Sequence, residues 1–222
     1  MTNWLGRSWI TYSKKVQTPE KKMTDGVQTA GLIILAGGQS RRMGRDKALL
    51  PLAGEKMVMR TIRRLSPQGE WVVLISSNQP EKFAGFQAPV VPDQLRGAGP
   101  LAGIHACLRR SPCELNLVTA CDLPFVSAKI ARQLLAWADT GTWDAVVPVD
   151  GERMHPLFAV YHRRCHKQLE VFLKGGGRRV GDFLKEVETR YVSGPFPEGV
   201  FFNMNRPEDY REAIAREEGD LE

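Results

Sequence analysis

Five runs of this chain carry almost no polar alternation: GLIILA (31–36), WVVLISS (71–77), APVVPD (88–93), LNLVTACD (115–122) and DAVVPVD (144–150). A strand with one wet face alternates apolar and polar residues. Uninterrupted Val, Ile and Leu therefore point to strands covered on both faces, as in a mainly parallel sheet. Helical periods separate the runs: Met57, Val58, Ile62 and Leu65 share a face, as do Ile130, Leu134, Leu135 and Ala138. PLAGIHACLRR (100–110) fits a short helix with Leu101, Ile104 and Leu108 inward and His105 at the edge of that face. Strands alternating with helices imply right-handed crossovers, so the expected fold is α/β with a doubly wound, mainly parallel sheet.

The last third breaks the rhythm. LFAVYHRR (157–164) follows VPVDGERMHP, which predicts a small strand–loop–strand excursion inserted in the sheet. A helix from Cys165 to Leu173, the glycine run Gly175–Gly177 and a helix around Val180–Val187 come next. A strand near TRYVS, the short VFFNMN stretch and a final helix opening at Pro207 complete the pattern, with Glu208 and Asp209 suited to the helix N-terminus. Residues 1–29 show no sustained period and read as a disordered arm, leaving 30–222 as one domain.

Composition excludes several classes. The formal charge of +6 suggests an anionic partner, but residues 1–29 hold Arg7, Lys14, Lys15, Lys21 and Lys22 against Glu20 and Asp25. The surplus over the rest is small, so no nucleic-acid-binding face is indicated. No apolar run is long enough to span a membrane, and MTNWLGRSWITYSKK lacks a signal-peptide core. Cys107, Cys113, Cys121 and Cys165 show no CxxC spacing, which suits free thiols and a cytoplasmic location. HRRCH (162–166) reads more simply as a helix start than as a metal site.

In an open α/β sheet, ligands bind beyond the carboxyl ends of the strands. After the first run come Gly37, Gly38, Arg41, Arg42 and Lys47; the third ends at Asp93 and the fourth at Asp122. Glycines, cations and two carboxylates on one rim suit a polyphosphate with a divalent metal. GGQSRRMGRDK matches neither the GxxxxGK[ST] P-loop nor the GxGxxG dinucleotide motif. Glycine still lets backbone N–H groups approach phosphate, and Arg42 and Lys47 could neutralise it, although a solvated turn fits the loop equally well.

LAGGQSRRMGRDK resembles, position for position, the LAGGxSxRMGxDK signature of molybdenum cofactor guanylyltransferases, members of the sugar-nucleotidyltransferase-like NTP transferases. The resemblance continues through VPDQLRGAGPLAGI, CDLPFV, DGERMHPL, GGRRVGDFL and FNMNRPED, from about Gly31 to the C-terminal helix. It implies a Rossmann-like nucleotidyltransferase fold and transfer of GMP from GTP to the terminal phosphate of molybdopterin, with release of pyrophosphate. Leu35, Ala36, Gly37 and Gly38 then match the guanine-nucleotide segment, Lys47 the triphosphate lysine, and Asp93 a nucleotide-binding aspartate. Asp122 matches the aspartate that holds Mg²⁺ and touches the nucleotide, Asn78 a nucleotide-side asparagine, and Asn203 or Asn205 a second metal-side ligand.

Arg42, Lys47 and Asp122 are the implied catalytic set. Each residue also has a plainer role: Asp122 could cap a turn, Asp93 could be a turn residue, and Asn205 could cap the last helix with Glu208 three residues on. His155 could be a turn residue or an acceptor-side group, and Arg178 and Arg179 could be solvated or an anion site. Implied partners are GTP and molybdopterin, with molybdoenzymes or their chaperones beyond them, and neither nucleic acid nor membrane. The alternatives are cytidylyl transfer to the same cofactor, or a non-catalytic cofactor carrier.

Overall fold

The run GLIIL occupies the middle of the sheet, where alternation of side chains sends it into two cores at once. The computed structural model describes residues 30–37, 46–95 and 97–219. Its first strand, β1 (Gly31–Leu35), is buried throughout. Leu32 and Ile34 join one apolar cluster while Ile33 and Leu35 join the other. That is the period-2 consequence of a strand covered on both faces.

A 3-10 turn at Lys47–Leu49 leads to a small hairpin, β2 (Pro51–Leu52) and β3 (Glu55–Lys56), and then to α1 (Met57–Leu65). The chain continues through β4 (Val72–Ser76), β5 (Val90–Val91), α2 (Pro100–Arg110), β6 (Leu115–Ala120) and α3 (Ala128–Asp139). β7 (Ala145–Asp150), β8 (Arg153–Met154) and β9 (Phe158–His162) follow, then α4 (Cys165–Lys174), α5 (Val180–Phe183), β10 (Thr189–Ser193) and α6 (Pro207–Gly219).

The main sheet runs β10-β7-β9-β6-β1-β4-β5, with β8 paired to β7. β1 is parallel to both β4 and β6, and β10 is parallel to β7. Only the inserted β8 and β9 run antiparallel to their neighbours in that sheet, among the described residues. The fold is therefore the expected mainly parallel α/β sheet with a small β excursion. α2 and α4 residues fill one cluster, with Leu101, Ile104, Leu108 and Leu169, while α1 and α3 residues fill the other, with Val58, Ile62, Ile130 and Leu134.

Several expectations need correction. His105 is 1% exposed and lies inside the α2 face rather than at its edge. The α2·α4 packing closes over it, an enclosure that the period of α2 alone does not reveal. The expected helix over 180–187 lasts only from Val180 to Phe183, and the APVVPD run pairs only at Val90–Val91. Residues 200–205 form turns and irregular chain, because Met204 N–H donates to Asp122 O at 2.9 Å instead of joining a ladder. Residues 1–29 lie outside the described residues.

Candidate active site

From β1 the chain crosses to β4 and β5 on one side, then returns through α2 to β6 on the other. This reversal opens a crevice beyond the carboxyl ends of β1 and β6, where doubly wound sheets bind ligands. Three backbone hydrogen bonds extend the ladder past the strands and fix its rim: Ala36 N to Ser76 O, Cys121 N to Leu35 O and Ser77 N to Val91 O. The crevice is a cavity of about 1120 Å³.

Leu35, Ala36, Gly37, Lys47, Asn78, Asp93 and Asp122 all line it, so every described residue assigned to the site meets there. Gly38 and Arg42 lie outside the described residues. Lys47 is anchored by its own turn, in which Asp46 Oδ1 accepts from Ala48 N at 3.2 Å and Ala48 is fully buried. Its ammonium donates to Asp122 Oδ2 at 3.1 Å and to Asn205 Oδ1 at 2.8 Å. Asn205 comes from the far end of the chain, brought in by the Met204–Asp122 backbone bond and by the fully buried Met204 side chain.

Asp122 Oδ1 is buried and makes no hydrogen bond to the protein. A carboxylate oxygen left so at a polar cavity wall is costly, on the order of 1–3 kcal/mol, unless a cation or donor meets it. Among the described residues no cluster of three or more His, Cys, Asp or Glu could hold a metal. A hard cation at Asp122 would therefore draw its remaining oxygens from water and substrate phosphate, a coordination habit of Mg²⁺. The orphaned Oδ1 fits that role.

The two asparagines separate. Asn205 Oδ1 is engaged by Lys47, whereas Asn203 Oδ1 is buried with no protein partner. The helix-cap role expected of Asn205 belongs to Asp209, whose Oδ2 accepts from Asn205 N and Arg206 N. Those two backbone donors hold the Asp209 carboxyl below the usual carboxylate range.

Asn78 does not simply face the cavity. Its Nδ2 donates to Asp93 Oδ2 at 2.7 Å while its Oδ1 accepts from Asp93 N at 2.9 Å. The pair forms a closed ring that fixes the carboxylate. Beside it, α2 begins at Pro100 with Gly99 before it at φ 58°, and both line the cavity. The open N–H groups and dipole of that helix end favour an anion.

Two contributors had no motif to announce them. Lys82 reaches Asp46 Oδ2 at 3.0 Å across the cavity mouth from a turn after β4, with nothing in its local sequence to mark it. Gly103 lines the floor on α2, where a Cβ would stand 2.2 Å from Ser76 Oγ. A glycine at an inward helical position was the available clue.

Among the described residues, Cys121 is the one thiol that lines the cavity. Burial first, then Asp122 and Asp46, push that thiol far above neutrality. Arg178 is spent on the end of α4, donating to Leu173 O and Gly177 O, and neither it nor Arg179 lines the cavity. In HRRCH, His162 Nδ1 accepts from Arg164 N and His166 Nδ1 lies 2.9 Å from Arg163 O, which is local turn bonding.

Residues 32–189 match the family model of the MobA-like NTP transferase domain. A protein of Pelotomaculum thermopropionicum named "Probable molybdenum cofactor guanylyltransferase" is 39% identical over 80% of this chain and 88% of its own length. The "Molybdenum cofactor guanylyltransferase" of Mesorhizobium japonicum is also 39% identical, over 82% of this chain and 92% of that one. Among solved structures, "Molybdopterin-guanine dinucleotide biosynthesis protein A" from Archaeoglobus fulgidus superposes with a TM-score of 0.75 at 26% identity, covering 85% of this chain and 99% of that one. A cytidylyltransferase from Thermus thermophilus, at 20% identity and a TM-score of 0.65 over 85% of this chain and 98% of its own, shares the fold. With the family model covering most of its length and its rim residues gathered in one crevice, this chain belongs to the MobA-like NTP transferase family.

Proposed function

We propose that this chain is a nucleotidyltransferase that moves GMP from GTP to the terminal phosphate of molybdopterin, forming the guanine dinucleotide cofactor and pyrophosphate. The observation that carries the reading is Asp122, placed at the switch of the sheet with Lys47 on one carboxylate oxygen and the other oxygen orphaned. The names of relatives such as those of Pelotomaculum and Mesorhizobium support the guanylyl donor and the cofactor acceptor. Residues 30–222 are taken as one catalytic domain, with residues 1–29 outside it.

An oxygen of the acceptor phosphate attacks the α-phosphorus of GTP, forming a P–O–P bond. The bond from that phosphorus to the bridging oxygen breaks, and the leaving pyrophosphate keeps the electron pair. A phosphate monoester is already ionised near neutrality, so no general base is needed. Among the described residues, the cavity walls carry Lys47, Lys82 and three aspartates but no histidine. The barrier lies in bringing two polyanions together, and the remedy is charge neutralisation with in-line positioning.

Asp122, through Oδ1, is the residue that would hold a divalent cation, which we take to be Mg²⁺. When bound there, such a cation supplies charge neutralisation at the α-phosphate. Lys47 and Arg42 are assigned to the departing pyrophosphate. Backbone groups of Leu35, Ala36, Gly37 and Gly38 are assigned to the nucleotide, with Asp93 held for it by Asn78.

The test is pyrophosphate release by the full chain with Mg²⁺, molybdopterin and GTP, repeated with CTP. Turnover with GTP at least tenfold above CTP is expected (~1.4 kcal/mol of discrimination). Equal or better turnover with CTP would replace guanylyl by cytidylyl transfer, and binding without pyrophosphate release would leave a carrier.

A further inference from the structure

A second cavity, of about 170 Å³, adjoins the nucleotide crevice and shares Ala120, Leu157 and Asn203 with it. It is too small for a nucleoside triphosphate but of the right order for one fused bicyclic ring. We propose that it seats a flat, nitrogen-bearing heterocycle of the acceptor, with His155 as the residue that selects it. This inference rests on the nucleotidyl-transfer reading above.

The backbone of His155 is already committed. Its N–H donates to Pro148 O at 2.9 Å and its carbonyl accepts from Phe158 N at 3.0 Å, which pins the turn between β7 and β9. The turn therefore does not need the imidazole. The ring instead stacks on Phe201, with centroids 3.9 Å apart and planes 14° from parallel. Phe201 is held in turn by the edge of Phe196 at 5.1 Å and by Phe158 at 6.0 Å. The pair is a fixed aromatic wall, and Leu123 and Phe158 add apolar surface to the same cavity.

Two residues that line this cavity each carry a buried polar atom with no partner on the protein, His155 Nε2 and Asn203 Oδ1. Two such atoms along one small cavity are a standing cost that matching ligand groups would relieve. Asn203 Oδ1 can only accept, so it calls for a ligand N–H. His155 Nε2 donates or accepts according to its tautomer. Arg153, exposed on β8, adds guanidinium donors at the mouth. Stacking surface, N–H acceptor and ring nitrogen together describe the polar edge of a pterin-like ring. Because Ala120 ends β6 two residues before Asp122, a phosphate borne by that ring can reach the metal-side carboxylate.

The test compares the full chain with His155→Phe, which keeps a flat ring on Phe201 and removes both nitrogens. KM for molybdopterin should rise about tenfold, the worth of roughly one hydrogen bond to a buried group, while kcat and KM for GTP stay within about twofold. Quenching of free 6-carboxypterin fluorescence, which needs no transfer reaction, should weaken by about the same factor. Arg153→Gln, on an exposed strand, should weaken both readouts and guards against misfolding of the first variant.

An unchanged acceptor KM and unchanged pterin titration in a folded His155→Phe protein, or in Arg153→Gln should the first not fold, would overturn the assignment. A wild-type chain that binds the pterin yet releases no pyrophosphate with GTP and molybdopterin would instead sink the functional reading and leave this cavity assignment standing.

Discussion

The Lys47 ammonium lies 3.1 Å from Asp122 Oδ2, joining the loop after β1 to the loop after β6 across the switch of the sheet. Both side chains are largely shielded, 16% and 17% exposed, so the contact is screened less than a surface pair. The same lysine also binds Asn205, so removing Asp122 does not strand it without a partner.

Asp122→Ala should therefore fold normally and lose transfer by about a thousandfold, the scale seen when one preorganised electrostatic group is deleted. Asp122→Asn should behave alike, since it keeps the shape and loses the charge. Pyrophosphate release and thermal melting of the same preparations check this. Turnover near the wild-type rate would remove Asp122 from the reaction.

Asn78 gives one hydrogen bond to Asp93 and takes another from it. Asn78→Ala should raise KM for GTP by about ten- to a hundredfold, in line with roughly 1.5–3 kcal/mol for a hydrogen bond to a charged group. In an Asp93→Ala background the same change should cost almost nothing. A double-mutant cycle measures this coupling, and additive effects would show that Asn78 contacts nucleotide independently.

Gly103 lets α2 approach β4, where an added Cβ would stand 2.2 Å from Ser76 Oγ and 3.3 Å from Leu35 Cδ2. Gly103→Ala should destabilise by about 1–3 kcal/mol and weaken GTP-dependent thermal stabilisation, because the cavity floor must shift. Adding Ser76→Gly, which removes the obstructing side chain, should recover much of both. Denaturant melts with and without GTP decide.

Three histidines share one direction of shift. Burial is the largest cause in each case, lowering the pKa of His105, His155 and His162. Around His105, Glu170 opposes the shift while Arg109, His166 and Lys174 reinforce it. A depressed folded-state pKa means that the unfolded chain takes up a proton first, near its ordinary value of about 6.5. Stability should hold above that pH and fall as the pH drops below it. The melting temperature should decline between about pH 7 and pH 5, and His105→Phe should flatten part of the decline. A melting temperature that rises on acidification through this window would contradict the assignment.

Much of this was legible in the chain because it depends on local physics. Uniform Val, Ile and Leu in GLIIL and LNLVTA can be satisfied only where both faces are covered, and that condition alone selects a mainly parallel sheet. Gly37, Asp93 and Asp122 follow predicted strand ends, and strand ends share a rim in such a sheet. The fate of VFFNMN was not legible in the same way. Its residues depend on a backbone bond to Asp122, more than eighty positions earlier, and neither periodicity nor propensity carries that information.

By itself, then, the sequence determined the layered α/β architecture, the rim on which glycines and carboxylates converge, and the family signature. Only the tertiary structure decided how those groups divide their work. It turned Asn78 into the clamp of Asp93 and placed Asn205 on Lys47. It committed Arg178 to a helix end and left Asp122 Oδ1, Asn203 Oδ1 and His155 Nε2 without partners. The reason is physical: burial and periodicity follow from neighbours along the chain, whereas a hydrogen bond depends on distances of a few tenths of an ångström between residues that only folding brings together.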